Sequence, residues 1–292
     1  MSLLMEFAVQ MKCQSCADKI KTKLESTVGV DSVEVILDKG IVLVKSNLPS
    51  SVIKEKLEDG GNVAVLNGYG SQLGDKYINN NPSIHTTSAV AMLGGPVGYS
   101  LSNSIQGVVR FIQSSDDKCI IDGTIDGLTP GLHGLHIHEC GDISKGCESI
   151  GEHYDAKGGD KHGGPEEGEN NRHTGDLGNV EADENGRATF RLEDKLVKVW
   201  DIIGRSVAVT ESADDLGKGN HPFSKINGNS GQKLACGIIS RSAGLFENTK
   251  KICACDGVTI WDERNKPLAG PGRRNQKTEE QVTSAKEPCS TI

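Results

Sequence analysis

The sequence predicts an α+β unit of about seventy residues, then an all-β barrel or sandwich, then a tail without regular structure. Three observations carry this reading. Over the first seventy residues the apolar periods follow the order βαββαβ. From 89 to about 240 the chain is a series of short β-runs separated by Gly, Asp and Pro clusters. Periodicity is lost between these regions, at 71–88, and the apolar pattern thins again after about 242.

Residues 4–12 alternate apolar and polar side chains, as a half-buried strand does. Ala17, Ile20 and Leu24 then share one face of a helix over 16–27. The runs "SVEVIL" and "GIVLVKS" read as two strands joined at Asp38-Lys39-Gly40, a hairpin signal. Pro49-Ser50 opens a second amphipathic helix carrying Val52, Ile53 and Leu57, Gly60-Gly61 ends it, and "NVAVLNG" is the last strand. This order is the ferredoxin-like split βαβ arrangement. Residues 71–88 are rich in Asn, Ser and Thr and read as a linker. The expected domains are therefore 1–72, a linker at 73–88, a β-domain at 89–241 and a tail at 242–292, whose last twenty or so residues have a disordered composition. Inside the β-domain, the long Gly/Asp/His-rich stretch 139–179 has little strand pattern; such loops are usually functional or held by a metal.

The chain has 292 residues, a net charge of −8 and no long basic run. Nucleic acid and anionic membrane are excluded as expected partners. The start "MSLLMEFAVQMKC" lacks a basic n-region, a long apolar run and a cleavage site, and no later run approaches spanning length, which points to the cytosol. Nine cysteines are too sparse for a disulfide scaffold. Two close pairs, Cys13/Cys16 and Cys253/Cys255, point instead to metal or redox chemistry, while Cys119, Cys140 and Cys289 receive no role.

"MKCQSC" sits where a strand runs into a helix, so both sulfurs lie in an exposed loop at a helix N-terminus, which favours a thiolate. Two thiolates form a low-coordinate soft site that suits exchangeable Cu(I). A thioredoxin-type redox pair and half of a zinc site are the alternatives. Against them, the first seventy residues hold no second Cys/His pair, and their only proline, Pro49, opens a helix. Met11 is read as core packing. Further on, the period of two in "LHIHEC" puts His136 and His138 on one strand face. His153, His162, His173 and Asp176 follow among glycines, and three imidazoles with one carboxylate make a tetrahedral zinc set. Near the end, Cys253 and Cys255 in extended chain point to one side, a geometry for Cu(I) or for disulfide exchange, with Lys250 and Lys251 favouring the thiolate; two inert thiols in a flexible tail remain the bland alternative.

MxCxxC at a strand-to-helix junction in a βαββαβ unit resembles the heavy-metal-associated domain. "GLHGLHIHECGD", "KHGGP", "RHTGDLGNV", "ADDLGKG" and "GNSGQKLACGII" resemble copper-zinc superoxide dismutase across essentially all of 89–240. That resemblance implies an eight-stranded Greek-key barrel, zinc on His153, His162, His173 and Asp176, and a disulfide between Cys147 and Cys236. It further implies that Asp214 tethers two metal sites and that His136, His138 and His153 are three copper ligands. The fourth copper histidine is replaced by Thr210, a poor ligand beside imidazole, and the guanidinium expected before "LACG" by Lys233. The zinc half of the site is kept while the redox half is not.

Taken together, the MxCxxC domain, the barrel and the CxC tail resemble the copper chaperones for superoxide dismutase. The family implies uptake of Cu(I) at Cys13 and Cys16 and a heterodimer of the barrel with immature copper-zinc superoxide dismutase. It also implies copper delivery and promotion of the target's intrasubunit disulfide through Cys253 and Cys255. The barrel is then no competent dismutase. Pairing of the chain with itself stays open, as does its upstream copper donor, and the family allows a fraction in the mitochondrial intermembrane space.

Overall fold

The computed structural model describes residues 2–70, 87–95, 97–102, 104–158 and 161–248. Most of the expected linker, and the tail from 249 on with Cys253, Cys255 and Cys289, lie outside the described residues. Among the described residues no helix is long and apolar enough to cross a membrane.

The N-terminal unit has the expected order: β1 (Leu3–Val9), α1 (Gln14–Glu25), β2 (Val30–Ile36), β3 (Ile41–Ser46), α2 (Ser50–Glu58) and β4 (Ala64–Gly70). The strands form an antiparallel sheet in the order β2-β3-β1-β4. A one-turn helix, Leu37–Lys39, joins β2 to β3, and Gly40 closes it at φ 65°, a left-handed conformation that glycine takes without strain. Met5, Phe7 and Val9 of β1 meet Ile20, Leu24, Ile53 and Leu57 of the helices in one core. The alternation in β1 holds only on this face. Glu6, on the other face, is buried, because residues 242–248 cover it.

The second sheet has ten strands: β5 (Ser88–Leu93), β6 (Tyr99–Ser100), β7 (Gln106–Ser115), β8 (Lys118–Asp126), β9 (Gly131–His138), β11 (Asp176–Ala182), β12 (Ala188–Asp194), β13 (Ser206–Thr210), β14 (Lys233–Ile238) and β15 (Ser240–Arg241). The remaining short elements are β10 (Ser144–Cys147), α3 (Val199–Ile202) and α4 (Ser224–Asn227). The strand order is β15-β5-β7-β8-β12-β11-β9-β13-β14-β6, so β8 pairs with β12 and β9 with β13 across long connections, the Greek-key pattern. The sheet curls until β14 lies against β5. Gly237 of β14 permits this, since a Cβ there would collide with the Met92 carbonyl. Val109, Phe111, Ile121, Leu135, Ile137, Val207 and Val209 fill the interior. Cys119 is buried with them, and burial pushes its thiol pKa up, so it is chemically quiet.

The N-terminal sheet and the barrel share a buried contact. Ile112 of β7 and Ile120 of β8 belong to the N-terminal core. At their centre the buried Asp122 carboxylate accepts the Ser50 N–H (3.0 Å), the Ser50 hydroxyl (2.6 Å) and the Tyr69 hydroxyl (3.0 Å). Arg191 of β12 donates to the Ser46 and Leu48 carbonyls at 3.2 and 2.8 Å. Asp122 thus caps the start of α2 from another domain, a use of helix-end donors that local sequence does not encode.

Candidate metal centres

β1 ends at Val9 and the chain turns at Gln10–Cys13 into α1, with Cys13 in the N-cap position. Its carbonyl accepts the N–H groups of Cys16 and Ala17, which bends the loop so that the Cys13 and Cys16 sulfurs stand 3.3 Å apart. Cys13 is exposed and Cys16 half-buried. The hydrogen bonds from Ser15 and from the Cys16 N–H lower the Cys13 pKa to about 7. Ser15 was not singled out from the sequence, though its place two residues after a reactive thiol is a legible signal. Met11 packs against the apolar core, as its pattern suggested. The result is a close pair of sulfurs, with the Cys13 thiol about half-ionised near neutral pH, that one soft ion can bridge and give up.

The barrel holds the contrasting site. His136 and His138 project from β9, Asp176 opens β11 opposite His136 in register, and His153 bridges to His138 by backbone contact. The long loop between β10 and β11 adds His162 and His173. One oxygen of Asp176 lies 2.8 Å from His153 Nδ1 and 3.0 Å from His162 Nδ1; the other lies 3.1 Å from His173 Nδ1. All four side chains are buried. A tetrahedral cation with ligands at about 2.0–2.2 Å sets them about 3.3–3.6 Å apart, so this cluster needs to open only slightly to hold one. His162 Nδ1 also lacks hydrogen-bond geometry to any partner, although it lies within ion-pair distance of the carboxylate. The donor set and this orphaned nitrogen fit a zinc ion.

Charge in the cluster follows from burial and these contacts. Burial opposes the charged carboxylate of Asp176, but the hydrogen bonds from His153 and His173 and the close His162 imidazole outweigh it and hold the pKa far below the usual range. Burial likewise opposes the charged form of His162, and Asp176 and Asp214 more than offset it, raising its pKa to about 9. His153 moves the other way, to about 3, through burial and the neighbouring His136. Backbone N–H groups of Gly163 and His173 also hold Asp176 at 3.2 and 2.8 Å, and Arg172 donates to its carbonyl at 2.8 Å while pairing with the buried Asp194. Arg172 was missed from the sequence: it is one residue before a ligand, but only the fold puts Asp194 beside it.

His136 Nε2 donates toward one Asp214 oxygen, and His162 Nε2 toward the other, both at 2.8 Å. Asp214 therefore links the two halves of the site, as its motif implied. On the far side, His136 Nδ1 and His138 Nε2 are buried without hydrogen-bond partners. These are the free donor atoms of the copper-type half. Thr210 ends β13, paired with Lys233. Its hydroxyl donates to the Gly134 and Ser212 carbonyls at 3.2 and 3.3 Å and is buried. Lys233 Nζ donates to the Gly151 carbonyl at 3.1 Å, the same oxygen that faces His138 Nδ1 at 3.0 Å. Cys147 and Cys236 form a disulfide with Cα atoms 5.8 Å apart across 89 residues, packed with Ile150 and Ala208.

Two family models match the chain: the heavy-metal-associated domain over residues 6–62 and the copper/zinc superoxide dismutase over 105–239. The copper chaperone for superoxide dismutase of Sus scrofa is 54% identical over 93% of this chain and 92% of its own length. The human protein of that name is 54% identical over 92% of both. The chain belongs to the copper chaperones for superoxide dismutase. A more distant relative in the family, the chloroplastic copper chaperone for superoxide dismutase of Oryza sativa, is 37% identical over 89% of this chain and 71% of its own length. Within this family the exposed thiol loop and the buried histidine cluster fall in separate matched domains, one on each side of the Asp122 contact.

Proposed function

We propose that this chain collects Cu(I) on the Cys13 and Cys16 sulfurs and delivers it to copper-zinc superoxide dismutase, pairing its barrel with the immature enzyme as a heterodimer. Cys253 and Cys255 take part in the transfer and, in their disulfide form, promote the target's intrasubunit disulfide by thiol–disulfide exchange: two target thiolates attack in turn, the target disulfide forms as the Cys253–Cys255 bond breaks, and both sulfurs leave as thiols that dioxygen reoxidises. The barrel is a docking domain and no competent dismutase. His153, His162, His173 and Asp176 would hold zinc there, whose charge balances the buried Asp176 and keeps the long loop closed. His136 and His138 are residual copper-type donors. The copper is cargo and belongs on the exposed pair. The work is done in the cytoplasm, where the Cys13/Cys16 pair stays reduced, with a fraction in the mitochondrial intermembrane space.

The observation that carries the reading is Thr210. Its hydroxyl is committed to two backbone carbonyls at the point where a fourth imidazole completes a copper site. A three-histidine remnant cannot hold copper through a redox cycle as four ligands do, while an accessible thiol pair is present in the same chain. The test is dismutase activity over time after mixing the Cu(I)-loaded protein with reduced, zinc-loaded, copper-free superoxide dismutase under excess Cu(I) chelator. Activity is expected in the mixture and absent from the loaded protein alone. Activity of the lone protein would overturn the reading, and Thr210→His is expected to raise copper retention by the barrel at least about tenfold, about 1.4 kcal/mol.

A further inference from the structure

The Cys147–Cys236 disulfide lies beneath the end of the barrel sheet. β14, which carries Cys236, pairs with β13 on one side and with the end strand β6 on the other. Ala208 of β13 and Tyr99 of β6 stand opposite Cys236 in the two registers, so the three side chains form one row on one face of the sheet. Cys147 reaches that row from β10 and packs with Ile150 and Ala208. Gly146, the residue before Cys147, faces the Tyr99 ring with no side chain of its own, and a Cβ there would come within 2.6 Å of the ring. Tyr99 thus lies beside both halves of the bond. Its turn is fastened on each side: the Gly98 N–H donates to the Gly94 carbonyl at 3.0 Å, and the Leu101 N–H to the Leu234 carbonyl at 2.9 Å. Gly98 also lets the turn close on β14, since a Cβ there would stand 2.8 Å from the Cys236 carbonyl. Cys147 is 3% exposed and Cys236 0%, while Tyr99 keeps 37% of its surface in solvent. A side chain with one face on the bond and the other in water is a cover.

The same chain holds Cys13 and Cys16 as free thiols with their sulfurs 3.3 Å apart, Cys13 exposed. Any thiol reductant that keeps that pair reduced also meets the barrel's disulfide. Exchange begins when a thiolate reaches one of the two bonded sulfurs, so its rate depends on access. Ile150 and Ala208 close the bond from within the barrel, and Tyr99 stands on the solvent side. We propose that β6 is a redox guard: the Tyr99 ring blocks the approach of thiol reductants to the Cys147–Cys236 bond, so the disulfide persists under conditions that keep Cys13 and Cys16 as thiols. The reaction it slows is complete in two steps. A reductant thiolate attacks one cysteine sulfur, the S–S bond breaks, and the other cysteine leaves as a thiolate that takes up a proton. A second reductant thiolate then displaces the first cysteine from the mixed disulfide, so the protein gains two electrons and the reductant ends as a disulfide. The ring acts on the first approach, and its effect is therefore on rate while the oxidised barrel is equally stable with or without it. The guard goes beyond the chaperone reading and uses no step of it.

The full chain, with the barrel disulfide formed, is tested as wild type, Tyr99→Ala and Tyr99→Phe. Reduction by dithiothreitol at neutral pH is stopped at intervals with iodoacetamide, and the peptides carrying Cys147 and Cys236 are quantified by mass spectrometry. Urea unfolding of the oxidised proteins is measured in parallel. Tyr99→Ala is expected to lose the disulfide at least about tenfold faster than wild type, at a rate proportional to dithiothreitol concentration and with an unchanged urea midpoint. Tyr99→Phe keeps the ring and is expected to stay within about twofold of wild type. Reduction of Tyr99→Ala at the wild-type rate would overturn the proposal, as would equal acceleration in Tyr99→Phe. Faster reduction matched by a lower urea midpoint would overturn it as well, because the bond would then be reached through unfolding and not through a missing cover.

Discussion

The thiol loop before α1 and the histidine cluster of the barrel are two groups of metal-type donors, and they differ in what surrounds the donors. Cys13 is exposed and Cys16 half-buried, and among the described residues the groups that tune Cys13 come from its own loop: Ser15 and the first turn of α1. The histidine cluster is enclosed, and its donors are fixed by groups from β9, β11, the long loop and the segment after β13, with Asp214 and Arg172 behind them. A site with little support can be loaded and emptied without disturbing a fold. A site with support on every side is part of the fold, and losing its ion or a ligand leaves buried groups uncompensated. On the proposed reading, one chain separates cargo from scaffold by burial.

The strongest way to break this contrast is Asp176→Asn. Three buried imidazoles lose their shared carboxylate, so zinc content is expected to fall to near zero by elemental analysis, and stability by roughly 3–5 kcal/mol in denaturant unfolding. Cys16→Ser should cut Cu(I) affinity by at least about a hundredfold, about 2.7 kcal/mol, in chelator competition. The same variant is expected to leave the unfolding stability within about 0.5 kcal/mol, because Cys16 is only half-buried. A large loss of stability there would erase the distinction between the sites. The smallest effect concerns pH. With the Cys13 pKa lowered to about 7, its thiolate fills as pH rises, so the alkylation rate of Cys13 by iodoacetamide should reach half its plateau near pH 7. Ser15→Ala removes the largest cause and is expected to move that midpoint upward, and a midpoint unmoved by the substitution would mean that Ser15 does not tune the thiol.

Legibility follows the range of the contacts. Cys13 and Cys16 were readable because three residues of loop and a helix start bring the sulfurs together with no help from distant chain. His136 and His138 were readable from the period of a strand. Grouping His153, His162, His173 and Asp176 came from their density and from resemblance; local pattern does not show that their Nδ1 atoms converge on one carboxylate. The disulfide between Cys147 and Cys236, across 89 residues, was likewise implied by resemblance and is present. Glu6 shows the opposite limit. As one polar residue in an alternating strand it reads as solvent-facing, and its burial depends on Phe246, 240 residues away. Asp122 is similar: a carboxylate in a β-run whose partners, Ser50 and Tyr69, belong to another domain.

By itself the sequence determined the two folds, their order, the thiol pair, the histidines and the place of Thr210, because hydrophobic period, turn residues and donor type act over a few neighbouring positions. Tertiary structure decided how those pieces work together. It set Thr210's hydroxyl on the Gly134 and Ser212 carbonyls, turned the free nitrogens of His136, His138 and His162 into the site, joined the domains through Asp122 and strapped 242–248 beneath Glu6. The physical reason is that a buried polar group must find its partner wherever the folded chain supplies one, and the identity of that partner is a property of the packed structure rather than of the residues beside it.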